Sequence, residues 1–340
     1  MKNIIFSLII LVSINLTAQN KVVHKHHSCN KYIACCKDIK EEISEQIKDS
    51  KISKSRMFLS NTSIGNKEIL NREISYNNLG KPVIKVTYNS DGKIFSKKVI
   101  KYNLKGNESE ITDYSGNLKQ TGKLIIKYDE FGREIERSVL DNTAKIQSKT
   151  QTIYDKEGKV TEEQIYNENN VLVSIKNYQY DENGRVIKKI NKTGTQKEIG
   201  IESLTYDVIG NMVEDETNNL ESNYIIKYKI EYDNQGNETS LKRFYGNDNL
   251  IESYIYRYDE RQNRIETEYK DKSGIHTILS VKYDENNNKV EEILKLSDGS
   301  LSSKSTYKYD KKGNLVEEQQ WDVKTGKVSV NTRYEFEYYK

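Results

Sequence analysis

From Tyr102 onward a tyrosine returns every 26 residues, at Tyr128, Tyr154, Tyr180, Tyr206, Tyr232, Tyr258, Tyr283 and Tyr309, with a single step of 25. From Tyr128 each is followed by aspartate, Asp129 through Asp310. A fixed period of this kind marks a repeat architecture, in which each unit packs on its neighbours and length counts units. The period sets the fold class before any single residue is weighed. It names no reaction.

One unit begins Tyr180-Asp181-Glu182-Asn183-Gly184-Arg185. An aspartate can accept the amide hydrogens just ahead of it and glycine tolerates positive φ, so the opening reads as a tight turn. Glycine recurs at Gly132, Gly158, Gly184, Gly210, Gly236 and Gly313, and Gln262 and Asn287 stand in for it elsewhere. A second, looser turn is expected near the middle of each unit, as at 167–170, 246–249 and 271–274. Two turns leave two strands of about nine residues, each about 30 Å long.

Alternation agrees with strands. Two residues before the anchors stand Ile126, Thr152, Tyr178, Leu204, Ile230, Tyr256, Val281 and Tyr307, while the residue between is mostly polar. Tyrosine and apolar set therefore share one face. After the turn Ile135, Thr161, Ile187, Val213, Thr239, Ile265, Val290 and Val316 repeat a mostly β-branched position. The pattern predicts an all-β antiparallel meander of hairpins over 102–340, forming an extended, twisted or spiralling sheet. Its anchor tyrosines, Tyr128 through Tyr309, form a ladder that serves as core or faces a ligand.

Residues 57–101 hold two related turns, at 77–80 and 89–92, and are expected to form irregular early hairpins with shorter arms. Residues 36–56 place Ile39, Ile43 and Ile47 at steps of four, which predicts a short amphipathic helix capping the array. At the start, Lys2 precedes an apolar run from Ile4 to Val12 that Ser13 and Asn15 interrupt. That is too short for a membrane span and fits a signal peptide over 1–18, cut after Ala18. Residues 19–35 form a leader. The expected location is the periplasm, outer surface or extracellular space, with no transmembrane segment once the signal is removed. No tail follows the last unit, so no appended C-terminal domain is expected.

The formal charge of +3 is spread over interleaved lysines and glutamates, without the basic stripe a nucleic-acid partner would require. All three cysteines and three of the four histidines lie between His24 and Cys36. His24, His26, His27 and Cys29 have the donors and spacing to hold Zn²⁺ or copper. A plain leader with Cys29 bonded to Cys35 or Cys36 is the alternative. Each Tyr-Asp turn offers too few oxygens to converge on calcium, so the recurring aspartate reads as turn chemistry. No nucleophile elbow, zincin motif or phosphate loop occurs, and no cofactor is expected.

Tyr128-Asp129-Glu130-Phe131-Gly132-Arg133, Tyr180 to Arg185 and Tyr309-Asp310-Lys311-Lys312-Gly313-Asn314 resemble the Tyr-Asp repeats of the RHS family. The resemblance covers 102–340 well and 76–101 loosely. It implies a β-sheet that spirals into a hollow shell, or a cell-surface adhesive array. The chain departs from the family in its longer unit, in lacking the Asp-Pro self-cleavage motif and in having no toxin segment. The sequence is thus expected to specify an exported, non-enzymatic scaffold or binding surface for carbohydrate or protein. An envelope glycan-processing enzyme using sheet carboxylates, or a metal-binding N-terminus, is the alternative.

Overall fold

The computed structural model describes residues 51–62, 65, 67–246 and 248–340. They form a single sheet of 22 antiparallel strands in which sequence neighbours are sheet neighbours. The sheet closes on itself. Its first strand, Ile52–Asn61, pairs with its last, Lys327–Tyr338, placing Ser55 opposite Phe336 and Asn61 opposite Val330. The expected open or spiralling sheet is therefore a closed barrel. Closure removes the two unpaired edges that any open meander would leave. Arg56 straddles the seam between Glu73 and Glu337, and Arg333 bonds Glu68.

Twenty-two strands spaced about 4.8 Å apart and tilted about 40° give a perimeter of roughly 140 Å. A circular section of that size is about 40 Å across, too wide for opposed side chains to meet. Packing is accordingly lateral. Ile100, Ile126, Leu204, Ile230, Val281 and Tyr307 are buried in a row across the sheet, two residues before the anchors. Leu204 and Ile230 form a cluster with Met212, against Val186, Tyr206, Tyr232 and Leu241. Lys127, Gln179, Glu231 and Arg257, on the opposite face, are exposed. A concave surface crowds side chains and a convex one splays them, so the tyrosine face lines the lumen.

Hairpin geometry follows the aspartate and glycine. The Asp129 amide donates to the Arg133 carbonyl and the Gly132 amide to that of Asp129, with Gly132 at φ 85°. Gln262 and Asn287 adopt the same left-handed conformation at φ 66° and 62°. Just beyond, Lys127 faces Glu136 but Tyr128 faces Glu134, leaving Ile135 as an extra residue in a β-bulge. Thr161, Ile187 and Val213 occupy the same place, so the repeated position after the turn is the bulge residue.

The mid-unit turns lie at the opposite mouth of the barrel. That at Asp141 is as tight as the first kind, its amide bonding the Lys145 carbonyl with Ala144 at φ 65°. Tyr76 stands 26 residues before Tyr102, and Asn77 bonds Lys81 as Asp129 bonds Arg133. The rhythm therefore begins at Tyr76, with the turn at 89–92 belonging to the other mouth. Residues 36–50 of the expected helix lie outside the described residues, and positions 52–56 are strand. The signal peptide and leader also lie outside the described residues.

Candidate binding surface

Each anchor tyrosine bonds backward to the preceding hairpin. The hydroxyl of Tyr128 donates to the Glu108 carbonyl at 2.7 Å, Tyr154 to Glu134 at 2.8 Å, Tyr180 to Val160 at 2.7 Å and Tyr206 to Val186 at 2.8 Å. Tyr232, Tyr258, Tyr283 and Tyr309 do the same to Met212, Glu238, Arg264 and Lys289. Burial raises the phenols of Tyr128, Tyr154 and Tyr180 and pushes Tyr232, Tyr283 and Tyr309 up to about 12, so these six remain donors at neutral pH. Their hydroxyls are thus committed to backbone carbonyls of the wall.

The aspartates are equally committed. Asp129 Oδ1 accepts from the amides of Phe131 and Arg133, both at 2.9 Å. Its Oδ2 takes Arg133 Nε at 2.6 Å, and the same guanidinium lies 4.6 Å over the next anchor, Tyr154. Arg185 repeats this between Asp181 and Tyr206. Asn211, Asn237, Asn263, Asn288 and Asn314 keep the bond to aspartate, and Asn263 and Asn314 also reach forward, to Asn287 at 3.0 Å and to the Tyr338 hydroxyl at 3.3 Å. The residue after the left-handed turn position therefore ties a turn to itself and, in several units, to its neighbour, through a cation over the next tyrosine or an asparagine hydrogen bond.

A different set of residues on the tyrosine face has unmet capacity. The residue opposite the buried row repeats at 26, but its chemistry varies: Arg137, Glu163, Lys189, Asp215, Leu241, Thr267, and then Glu292 and Glu318. Lys189, nearly buried, bonds Glu202 at 2.6 Å. Asp215 lies opposite Leu204 on one side and Tyr228 on the other, and its Oδ1 is buried without a hydrogen-bond partner. Burial, then the charge of Glu202, pushes the Asp215 carboxyl up to about 6.

Next along the face, Arg243 lies 5.8 Å from the Tyr228 ring and bonds Glu252 through Nη1 at 3.2 Å, while its Nε is buried and unbonded. Tyr254 stacks on Tyr256 at 6.2 Å and meets Tyr269 at 5.0 Å, and Arg264 covers Tyr256 at 4.1 Å. Carboxylates, a guanidinium and tyrosine rings thus form one lumenal stripe across neighbouring strands. A second cluster sets Lys289 against Glu292 at 3.0 Å, with the Tyr307 hydroxyl also on Glu292. Burial lowers Lys289 and raises Glu318 there.

The sequence-derived candidates divide clearly. Tyr128 through Tyr309 form the structural ladder. His24, His26, His27, Cys29, Cys35 and Cys36 lie outside the described residues. Asp215, Arg243 and their neighbours were not anticipated. The available signal was a charged residue recurring on the apolar face, and it is visible only when the alternation is carried across both strands of the hairpin.

No protein-family model matches the chain, and no curated protein matches it. Among solved structures it is similar to TcdB2-TccC3 at 10% identity and a TM-score of 0.28, over 76% of this chain and 18% of that one. A TcdB2-TccC3-Cdc42 structure matches at 11% identity and a TM-score of 0.20, with 75% and 22% covered. The chain thus spans less than a quarter of those proteins. It is also similar to a porin-like protein from Bacteroides uniformis at 10% identity and a TM-score of 0.29, covering 85% of this chain and 97% of that one. Likenesses this weak carry no argument, and the resemblance to the RHS family rests on the Tyr-Asp motif alone.

Proposed function

We propose that the protein is an exported, non-enzymatic barrel whose lumenal stripe binds a saccharide chain at the cell envelope. The observation that carries this reading is the pair of buried, unbonded polar atoms, Asp215 Oδ1 and Arg243 Nε, set among Tyr228, Tyr254 and Tyr269. A buried polar atom without a partner costs about 1–3 kcal/mol, which a ligand hydroxyl would recover once a side-chain shift opens the atom to it. Tyrosine faces suit the apolar faces of sugar rings, with carboxylate and guanidinium reading the hydroxyls. Ion pairs lie along both faces, such as Lys282–Glu291–Lys304 on one and Lys189–Glu202 on the other. Neither face therefore offers the apolar band of about 25 Å that a lipid-embedded barrel needs.

The test is retention of the processed protein on a panel of envelope and extracellular polysaccharides, scored also for released sugar. Retention that is lost in Asp215→Asn and Arg243→Gln supports the binding stripe. Retention unchanged in both variants, or none on any polymer, ends it. A second reading is favoured by one observation, the raised carboxyl of Asp215 beside Glu202, since glycoside hydrolysis uses two neighbouring carboxyl groups, one of them with a raised pKa to act as the acid. Sugar release abolished by Asp215→Asn would establish that reading instead.

A further inference from the structure

The strand Tyr224–Tyr232 is unlike its counterparts on the tyrosine face. Its lumenal positions alternate tyrosine and isoleucine along the whole strand: Tyr224, Ile226, Tyr228, Ile230 and Tyr232. In other units the half nearer the mid-unit mouth is small and polar, with Gly122, Ser148, Ser174 and Gly200 where Ile226 stands. At the mouth itself Tyr224 stacks on Tyr245 of the next strand, Glu238–Tyr245, with ring centroids 6.0 Å apart and planes 22° from parallel. No other unit has a tyrosine where either of these two stands.

Tyr245 occupies a position that usually serves the turn. Thirteen residues after the anchor, other units carry Asp141, Asn167, Thr193, Asn219, Asp271 and Asp322. Each accepts amide hydrogens of the turn that follows, as Asn167 Oδ1 does from Asn169 and Val171 at 3.0 Å. Where Ser115 and Leu296 depart from the series, Asn117 and Asp298 supply the acceptor instead. A tyrosine hydroxyl stands too far from its own backbone to do so. The turn after Tyr245 is closed differently, by the Asp248 amide on the Gly246 carbonyl, with Gly246 at φ 63° and Asp248 at φ 59°. The ring gained in exchange is 47% exposed, so burial does not account for it.

The two rings continue the lumenal stripe. Tyr228 faces Asp215 on one side and Arg243 on the other, and Ile226 faces Tyr245. Tyr245 thus stands about 7 Å beyond Arg243 toward the mouth, and Tyr224 about 14 Å beyond Tyr228. The strip is two strands wide, roughly 10 Å by 14 Å, far below the about 800 Å² per partner of a stable protein interface. Its shape suits a linear polymer whose rings lie on tyrosine faces in single file.

We propose that Tyr224 and Tyr245 form the entry platform of the lumenal stripe. The saccharide chain lies along these two strands, held inside at Asp215 and Arg243 and stacked on the two rings where it passes the mid-unit mouth. The inference rests on the saccharide reading of the stripe and adds the direction of the chain and the mouth that it uses.

The experiment titrates the processed protein calorimetrically with xylo-, manno-, cello- and malto-oligosaccharides, from the monosaccharide to the hexasaccharide. Affinity is expected to rise with length in at least one series. Tyr224→Ala and Tyr245→Asn should each weaken that hexasaccharide on the order of tenfold and spare the disaccharide, whereas Asp215→Asn should weaken every length. Tyr245→Asn supplies the acceptor that Asn167 and Asn219 give their own turns, so the barrel is expected to fold, as circular dichroism verifies. Tyr245→Phe restores the ring and should recover the hexasaccharide affinity. If Asp215→Asn weakens every length and neither tyrosine variant has an effect, the stripe stands and the platform is overturned. Equal losses for disaccharide and hexasaccharide in the tyrosine variants, or no recovery in Tyr245→Phe, also overturn it. Binding of no oligosaccharide overturns the platform and the saccharide reading together.

Discussion

The hydroxyl of Tyr128 lies 2.7 Å from the carbonyl oxygen of Glu108, twenty residues earlier and one hairpin back. Pairing between the strands Glu108–Ser115 and Gln120–Tyr128 reaches Glu110 opposite Ile125 and goes no further toward this mouth. Beyond that point Glu108 is paired with Tyr102 on the preceding strand but has no partner in the ladder to Gln120–Tyr128. The tyrosine side chain spans the gap and takes the place of a backbone donor. Tyr128→Phe should therefore cost about 1 kcal/mol in denaturant unfolding. Tyr245, half exposed and outside the ladder, serves as the control, and Tyr245→Phe should change stability by less than about 0.5 kcal/mol.

The turn carboxylates can be separated from their charge. Asp207 Oδ1 accepts from the amides of Ile209, Gly210 and Asn211, at 3.0, 2.8 and 2.9 Å. Asn77 already performs this task with its amide oxygen, accepting from Leu79 and Lys81 at 3.0 Å each. Asp207→Asn should keep the melting temperature within a degree or so of the parent, whereas Asp207→Ala should lower it by a few degrees. Thermal melts followed by circular dichroism decide the matter. An equal loss in both variants would mean that charge, and not the acceptor, is what the turn needs.

Asp215 and the turn aspartate Asp207 respond to acid with opposite signs. For Asp207 burial alone would raise the carboxyl, but the Asn211 amide and side chain outweigh it and hold it below its ordinary value. Its contribution is present above the unfolded carboxylate pKa and is lost as pH falls through the folded one. Asp215 sits at about 6, above its unfolded value, so its proton uptake favours the folded state as pH falls from 7 to 4. Asp215→Asn should raise stability at pH 7 by about 1–2 kcal/mol and make the decline on acidification steeper. Urea titrations at pH 4, 5, 6 and 7 measure both effects.

The seam is the barrel's one pairing between strands far apart in sequence. Removing residues 52–61 leaves the strands Ile69–Tyr76 and Lys327–Tyr338 each with an unpaired edge. Such edges template further strand addition. The shortened chain should elute as dimers or larger assemblies in size-exclusion chromatography where the full chain elutes as a monomer. A monomeric shortened chain would mean that the remaining 21 strands close by themselves.

Much of this architecture is local and was legible for that reason. The turn needs an acceptor at Asp207 and a permissive backbone at Gly210, both within four residues. Strand alternation at Leu204 and Tyr206 has a period of two and shows directly in the sequence. The looser turn expected at mid-unit proved tight in units where Ala144 and Asn170 adopt positive φ as glycine does in the first turn, while those between Asn219 and Tyr224 and between Asp322 and Lys327 are longer by a residue. The lumenal stripe was not legible in the same way. Asp215, Arg243 and Tyr269 come from three different hairpins, and nothing within one unit indicates which neighbours will leave an oxygen or nitrogen unbonded.

The sequence by itself determined the repeat length, the hairpin, the face that carries the tyrosines and the structural duty of each aspartate. All of these depend on residues in the same unit. Tertiary structure decided closure, because the pairing of Ile52–Asn61 with Lys327–Tyr338 depends on twist accumulated over every intervening strand. It also decided the fate of the tyrosines. A ring can be placed on a face by alternation, but whether its hydroxyl meets water, a ligand or a carbonyl depends on where the previous hairpin ends its ladder. In this barrel it meets a carbonyl.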